Sequence, residues 1–223
     1  MAVRAHVSTR ARVLGTPPGG EPEPARRGPA PLALVVYGAL SVLTLGVAFA
    51  RGTSPVETDP WFDDLEGWPG HLVSVASGIV LAFATVRATR LFVGSWGWAK
   101  TLHADLRPAV RGAGDATLLV LGMASGVAEE LFFRGLLTPV LGLAVSSLAF
   151  GGLHQLRGRV GWIWAGWATV MGLLFGALFL ATGSLIGPIV AHAAINVMNL
   201  RFLRDTDVEP KKPRRLGGLL GDA

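Results

Sequence analysis

Apolar positions in this chain come in long unbroken blocks, and polar positions are confined to the stretches between them. Blocks cover about 31–50, 71–93, 115–137, 140–156, 161–182 and 186–203. None alternates with period two, and most run near or above 18 residues, the length that reads as a membrane-crossing helix. The first, "PLALVVYGALSVLTLGVAFA", would rise roughly 30 Å as a helix, one bilayer core. The pattern predicts an all-α, polytopic membrane helical bundle of about six transmembrane helices, within a range of five to eight. Four regions follow from the same pattern. They are a disordered basic arm (1–30), two N-terminal spans with a basic interfacial segment (31–112), a membrane domain holding the polar motifs (113–203) and a basic tail (204–223).

Composition agrees with the pattern. Of 223 residues, 51% are apolar and 16% charged, against about 25% charged in soluble domains. The net charge of +5 suits a nucleic-acid binder until its placement is considered. The basic residues flank apolar blocks, in the arm, the 94–114 segment, "RGR" at 157–159 and the tail. The loop "RGTSPVETDPWFDDLEGWPG" is acidic instead. This is the positive-inside distribution, so no nucleic-acid partner is expected. It predicts an integral protein of a cell membrane with both termini cytoplasmic. "AFA" before Arg51 resembles a signal-peptidase site, but the arm before it is long and the apolar run exceeds the usual 7–15 residues; cleavage is not expected. Cysteine is absent, which excludes disulfides, a thiol nucleophile and thiolate metal sites.

Against that background "VAEELFFRGLL" (127–137) stands out. A charge at the bilayer centre costs about 2.5–3.5 kcal/mol on the insertion scale. Glu130 and Arg134 are spaced i, i+4, so they share a helix face and can pair. Glu129 is left without a partner from its own helix. "FGGLH" brings Phe150 and His154 into i, i+4 relation, and "HAAIN" does the same for His192 and Asn196. A carboxylate and an imidazole can hold and deprotonate a water. A second imidazole and an amide can donate to a developing oxyanion. Hydrolysis then needs no serine, and Ser146, Ser147 and Ser184 read as packing or turn residues. His6, His71 and His103 fall in the arm or at span edges and take no role. Gly172-x-x-x-Gly176 predicts a close helix contact, and Arg87 and Arg90 are expected to snorkel.

Glu-Glu-x-x-x-Arg, Phe-x-x-x-His and His-x-x-x-Asn, in that order on successive membrane helices, resemble the CAAX protease and bacteriocin-processing family, which includes the type II CAAX prenyl proteases. The lead-in "TGSLIGPIVAH" resembles it too, and the likeness covers about 113–200. It implies an intramembrane endopeptidase acting on a membrane-associated protein or peptide. Glu129 and His154 would activate water, and His192 and Asn196 would form the oxyanion site. Glu130 and Arg134 would support the first motif, and Phe150 would pack beside the site. Two histidines and a glutamate are also a zinc ligand set, which here would be Glu129, His154 and His192. The absence of H-E-x-x-H and the likeness to prenyl proteases favour a glutamate mechanism with no cofactor. A non-catalytic adaptor or immunity protein on the same scaffold is the main competitor. A proton-coupled transporter ranks lower, because no internal repeat is present. One tension remains. Six simple spans would put Glu129 deep in its helix and His154 close to the cytoplasmic "RGR", at different depths.

Overall fold

The computed structural model describes residues 30–208, so the arm, His6 and most of the tail lie outside the described residues. Seven α-helices follow in order: α1 (Ala30–Arg51), α2 (Trp68–Ser95), α3 (Gly97–Leu106), α4 (Asp115–Glu130), α5 (Thr138–Leu153), α6 (Arg159–Thr182) and α7 (Ile186–Asp205). A π-helical stretch, Leu131–Leu137, joins α4 to α5 without interruption. No strand occurs among the described residues. Five helical stretches are long and apolar enough to cross a membrane, one of them being the whole of Asp115–Leu153. An all-α membrane bundle is therefore what the chain forms.

Helices α2, α4 and α7 pack through small residues. Gly78 on α2 lies against the backbone of Gly187, while Gly122 and Gly126 on α4 lie against Val197 and Ala193 of α7. Lipid tails provide no hydrophobic drive between helices, so backbone approach through such residues is what holds them. Gly172 and Gly176 of α6 face Ser147 and Leu143, the close contact expected from their spacing.

The tension over depth is resolved at Gly142. The third and fourth spans are not two full crossings. Gly142 has φ 79° and ψ 166°, a combination that is essentially restricted to glycine. The chain reverses there, and the 143–153 arm packs back against the π-helical stretch. The Thr138 and Ser146 hydroxyls meet at 2.8 Å, and the Phe133 and Phe150 rings stack edge to face at 5.0 Å. Glu129 lies thirteen residues before Gly142 and His154 twelve after it. At 1.5 Å per residue both sit roughly 18–20 Å below the bend. The fourth span expected at 140–156 is thus a half-length return arm, and "GMASG" is unbroken helix.

The expected interfacial segment at 94–114 becomes α3 and a short 3-10 turn, Arg107–Ala109. It lies across one end of the bundle. His103 Nε2 meets the Thr206 carbonyl at 2.8 Å, and Arg107 pairs with Asp207 at 3.2 Å. Arg90 is tied down at this end. It donates to the Asn199 side chain and the Met198 carbonyl, both at 2.9 Å, and its guanidinium lies 3.8 Å over the Phe202 ring. At the opposite end the 52–61 loop ties α1 to the bundle. Thr58 N–H donates to Gly183, Trp61 N–H to Leu180 and Leu185 N–H to Val56. His71, given no role from sequence, braces this end through Ser184 Oγ at 2.8 Å.

Candidate active site

The three motifs meet inside the bundle. Glu129 and Glu130 end α4, His154 caps the return arm, and His192 and Asn196 occupy successive turns of α7. Glu129 Oε2 is 3.7 Å from His154 Nε2 and 3.7 Å from His192 Nε2. These separations are too long for hydrogen bonds. The oxygen is buried and has no hydrogen-bond partner among the described residues. Each imidazole is fixed by its other nitrogen. His154 Nδ1 lies 2.8 Å from the Phe150 carbonyl, which can only accept, so Nδ1 carries the proton. His192 Nδ1 lies 2.7 Å from Glu130 Oε1. Both Nε2 atoms are left to face Glu129.

Glu130 does more than pair within its helix. Its Oε1 receives Arg134 Nη1 at 3.0 Å as well as His192 Nδ1. Arg134 Nη2 also donates to the Gly172 carbonyl at 3.2 Å, and its guanidinium stands 4.5 Å over the Phe150 ring. The side chains of Glu130 and Arg134 are 0% and 1% exposed, and buried charges of this kind hold only when paired and hydrogen-bonded. The π-helical stretch carries Arg134; such inserts gather at functional sites. Phe150 sits among these groups, 4.4 Å from the His154 ring and edge-on to His192 at 5.8 Å. The Phe175 ring stacks on His192 at 5.2 Å.

Asn196 is placed one turn below His192. Its Nδ2 donates to Ser125 Oγ at 2.9 Å, and Ser125 Oγ–H donates to the Gly122 carbonyl at 3.2 Å. A cavity of about 390 Å³ opens from Glu129, His154, His192 and Asn196. It runs toward α3, between apolar walls that include Trp98, Leu102, Trp164, Trp167 and Phe202. Tyr37 of α1 and Ser125 also line it, and neither belongs to a motif read from the sequence.

The donor types at Glu129, His154 and His192 suit zinc, so the fit can be tested on distances. Ligands about 2.0–2.1 Å from a tetrahedral zinc stand roughly 3.3–3.4 Å apart by that geometry. Glu129 Oε2 stands at 3.7 Å from each imidazole. Among the described residues no three His, Cys, Asp or Glu side chains gather closely enough to hold a metal ion. Glu129, His154 and His192 match zinc in donor type and stand a few tenths of an ångström wider than that geometry.

A helical membrane bundle with a carboxylate and two oriented imidazoles around one interior point defines a class of intramembrane sites. Comparison with known proteins narrows it. Residues 115–198 match the family model described as type II CAAX prenyl endopeptidase Rce1-like. All the motif residues fall inside that segment, and the resemblance read from them stands over it. The chain is also similar to the protein YpbD of Bacillus subtilis (strain 168), described as uncharacterized, with 33% identity over 81 residues. That match covers 36% of this chain and 42% of the relative, so the chain spans about two fifths of the relative's length. No solved structure matches the chain.

Proposed function

We propose that the chain is an intramembrane endopeptidase whose attacking water is activated by Glu129. The observation that carries this is the convergence of an unpartnered Glu129 oxygen and two Nε2 atoms at 3.7 Å, opening on an apolar cavity. A water within hydrogen-bond reach of all three is the nucleophile. Glu129 takes its proton as the oxygen attacks the peptide carbonyl carbon. The carbonyl oxygen becomes an oxyanion, the C–N bond breaks, and the proton passes from Glu129 to the departing amine.

The partners behind the two rings divide their work. His154 has a neutral carbonyl behind it, which suits a neutral ring that orients water through Nε2. His192 has the Glu130 carboxylate behind it, an anion that balances a ring bearing both protons. With His192 in that form, Glu129, Glu130, Arg134 and His192 together sum to zero charge. A doubly protonated His192 donates from Nε2 to the oxyanion, with Asn196 one turn away on the same wall. No metal takes part in any step. The substrate is a membrane-associated protein or peptide that reaches the cavity from the bilayer.

The test is cleavage in a bilayer. Purified protein in liposomes is mixed with membrane-anchored peptides, and products are mapped by mass spectrometry. Cleavage is expected to survive stripping with a strong chelator. Loss on chelation with stoichiometric recovery by zinc would overturn the glutamate mechanism. No cleavage of any peptide would favour the adaptor reading.

The membrane is proposed to be the plasma membrane of a prokaryote, with the α3 end cytoplasmic. The start of α1 and the end of α7 lie at that end, so both termini would be cytoplasmic. The chain has no cysteine, so single introduced thiols report topology directly. Lys100→Cys is expected to resist an impermeant maleimide in intact cells, and Asp59→Cys to react. The reverse pattern would invert the orientation.

A further inference from the structure

Helix α1 lies outside residues 115–198, yet one of its side chains enters the site. Tyr37 is the chain's single tyrosine. It lines the same cavity as Ser125, Glu129 and Asn196. Its side chain shares the cavity wall with the Glu129 carboxylate and the Ser125 hydroxyl, on the side where α1 packs against α4. A tyrosine in a membrane helix ordinarily sits at the headgroups. Tyr37 is seven residues into α1, roughly 10 Å along the helix, and faces the bundle.

The hydrogen-bond inventory around it leaves one charged acceptor. Ser125 Oγ already accepts from Asn196 and gives its own proton to the Gly122 carbonyl. The phenol proton therefore has Glu129 as its best acceptor, because a hydrogen bond to a charged group is the stronger kind. Nor is α1 a loose lipid-facing helix. Thr44 and Ala48 are buried, and the 52–61 loop fixes its far end through the backbone bonds to Leu180, Gly183 and Leu185.

We propose that Tyr37 is a positioning residue for Glu129, holding the carboxylate by a hydrogen bond from the phenol so that Oε2 faces the two imidazoles. A chain of polar groups then runs from Asn196 through Ser125 and Tyr37 to Glu129. It links the oxyanion side of the site to the base through a helix that carries no family motif. This rests on the hydrolytic reading of the site. Tyr37 acts through Glu129 and need not touch substrate.

Tyr37→Phe removes the hydroxyl and keeps the ring. In the liposome assay kcat is expected to fall about tenfold, the equivalent of one hydrogen bond to a charged group. KM should stay within about twofold, since the phenol makes no uniform contribution to binding. The thermal midpoint should not move. A second readout needs no turnover. Glu129 should be labelled several-fold faster by a hydrophobic carbodiimide at fixed neutral pH, because the phenol no longer covers the carboxylate. Unchanged kcat and unchanged labelling would overturn the proposal and leave the hydrolytic reading intact. Faster labelling in protein whose cleavage is also unaffected by Glu129→Gln would sink the hydrolytic reading, and with it any role for Tyr37 in turnover.

Discussion

Glu129→Gln is expected to reduce peptide cleavage by about 10²–10⁴-fold, the usual contribution of a positioned general base. The amide keeps the shape of the side chain and cannot accept the water's proton. Glu129 Oε2 accepts no hydrogen bond among the described residues, so replacing it breaks none, and a protonated His192 keeps the Glu130 carboxylate at 2.7 Å as its counter-charge. The variant should therefore insert, purify and melt like the wild type. Single-turnover cleavage in liposomes, together with a thermal scan in detergent, separates the two quantities. Activity within about tenfold of wild type would remove Glu129 from the role of base.

Arg134→Ala is expected to fail in the opposite way, through folding. Glu130 is fully buried, and Arg134, at 3.0 Å, is its permanently charged partner. Removing one member of such a pair costs about 3–5 kcal/mol, because the other charge stays buried without compensation. The yield of monodisperse protein should collapse, and what survives should melt well below wild type. The double replacement Glu130→Gln with Arg134→Met supplies the control. Replacing both charges of a buried pair is often close to neutral for stability, so folded protein should return. Cleavage should not return, since His192 Nδ1 loses the carboxylate at 2.7 Å that orients its ring. Normal abundance of Arg134→Ala, with activity lost, would place Arg134 among the reacting groups instead.

Much of this was legible in the sequence for a plain physical reason. Lipid demands continuous apolar blocks, and a charge inside one is costly enough to be conspicuous. Glu129, Glu130, Arg134, His154, His192 and Asn196 could be picked out on that ground, and the structure gathers them. The reversal at Gly142 was not legible. It is one glycine among thirty, set in a run that stays apolar on both sides, and hydropathy does not register a φ of 79°. The tie between Glu130 and His192 was hidden because Arg134, one helical turn away, already accounted for the carboxylate. Arg90 read as a snorkelling residue because its partners, Asn199 and Phe202, lie more than a hundred residues downstream. Tyr37 was missed for the same reason. Its neighbours Ser125 and Glu129 are far away in sequence, and an aromatic in a first apolar block has an ordinary explanation at the interface.

The half-length return arm has an electrostatic consequence. A helix that crosses the whole bilayer delivers the negative end of its macrodipole to the headgroups, where water and salt screen it. The arm that begins after Gly142 stops at His154, so its carbonyl end lies level with Glu129 inside the span, and the Phe150 carbonyl faces His154 Nδ1 at 2.8 Å. Positive charge near such an end is favoured by about 0.3–1 kcal/mol at exposed sites, and up to about 2 kcal/mol when partly buried. The dipole points at His154, the ring proposed to orient the water that Glu129 activates. It is in place before the substrate arrives and needs no reorientation as charge develops. A bend enforced by one glycine thus gives this membrane interior a fixed electric field, aimed at the His154 ring.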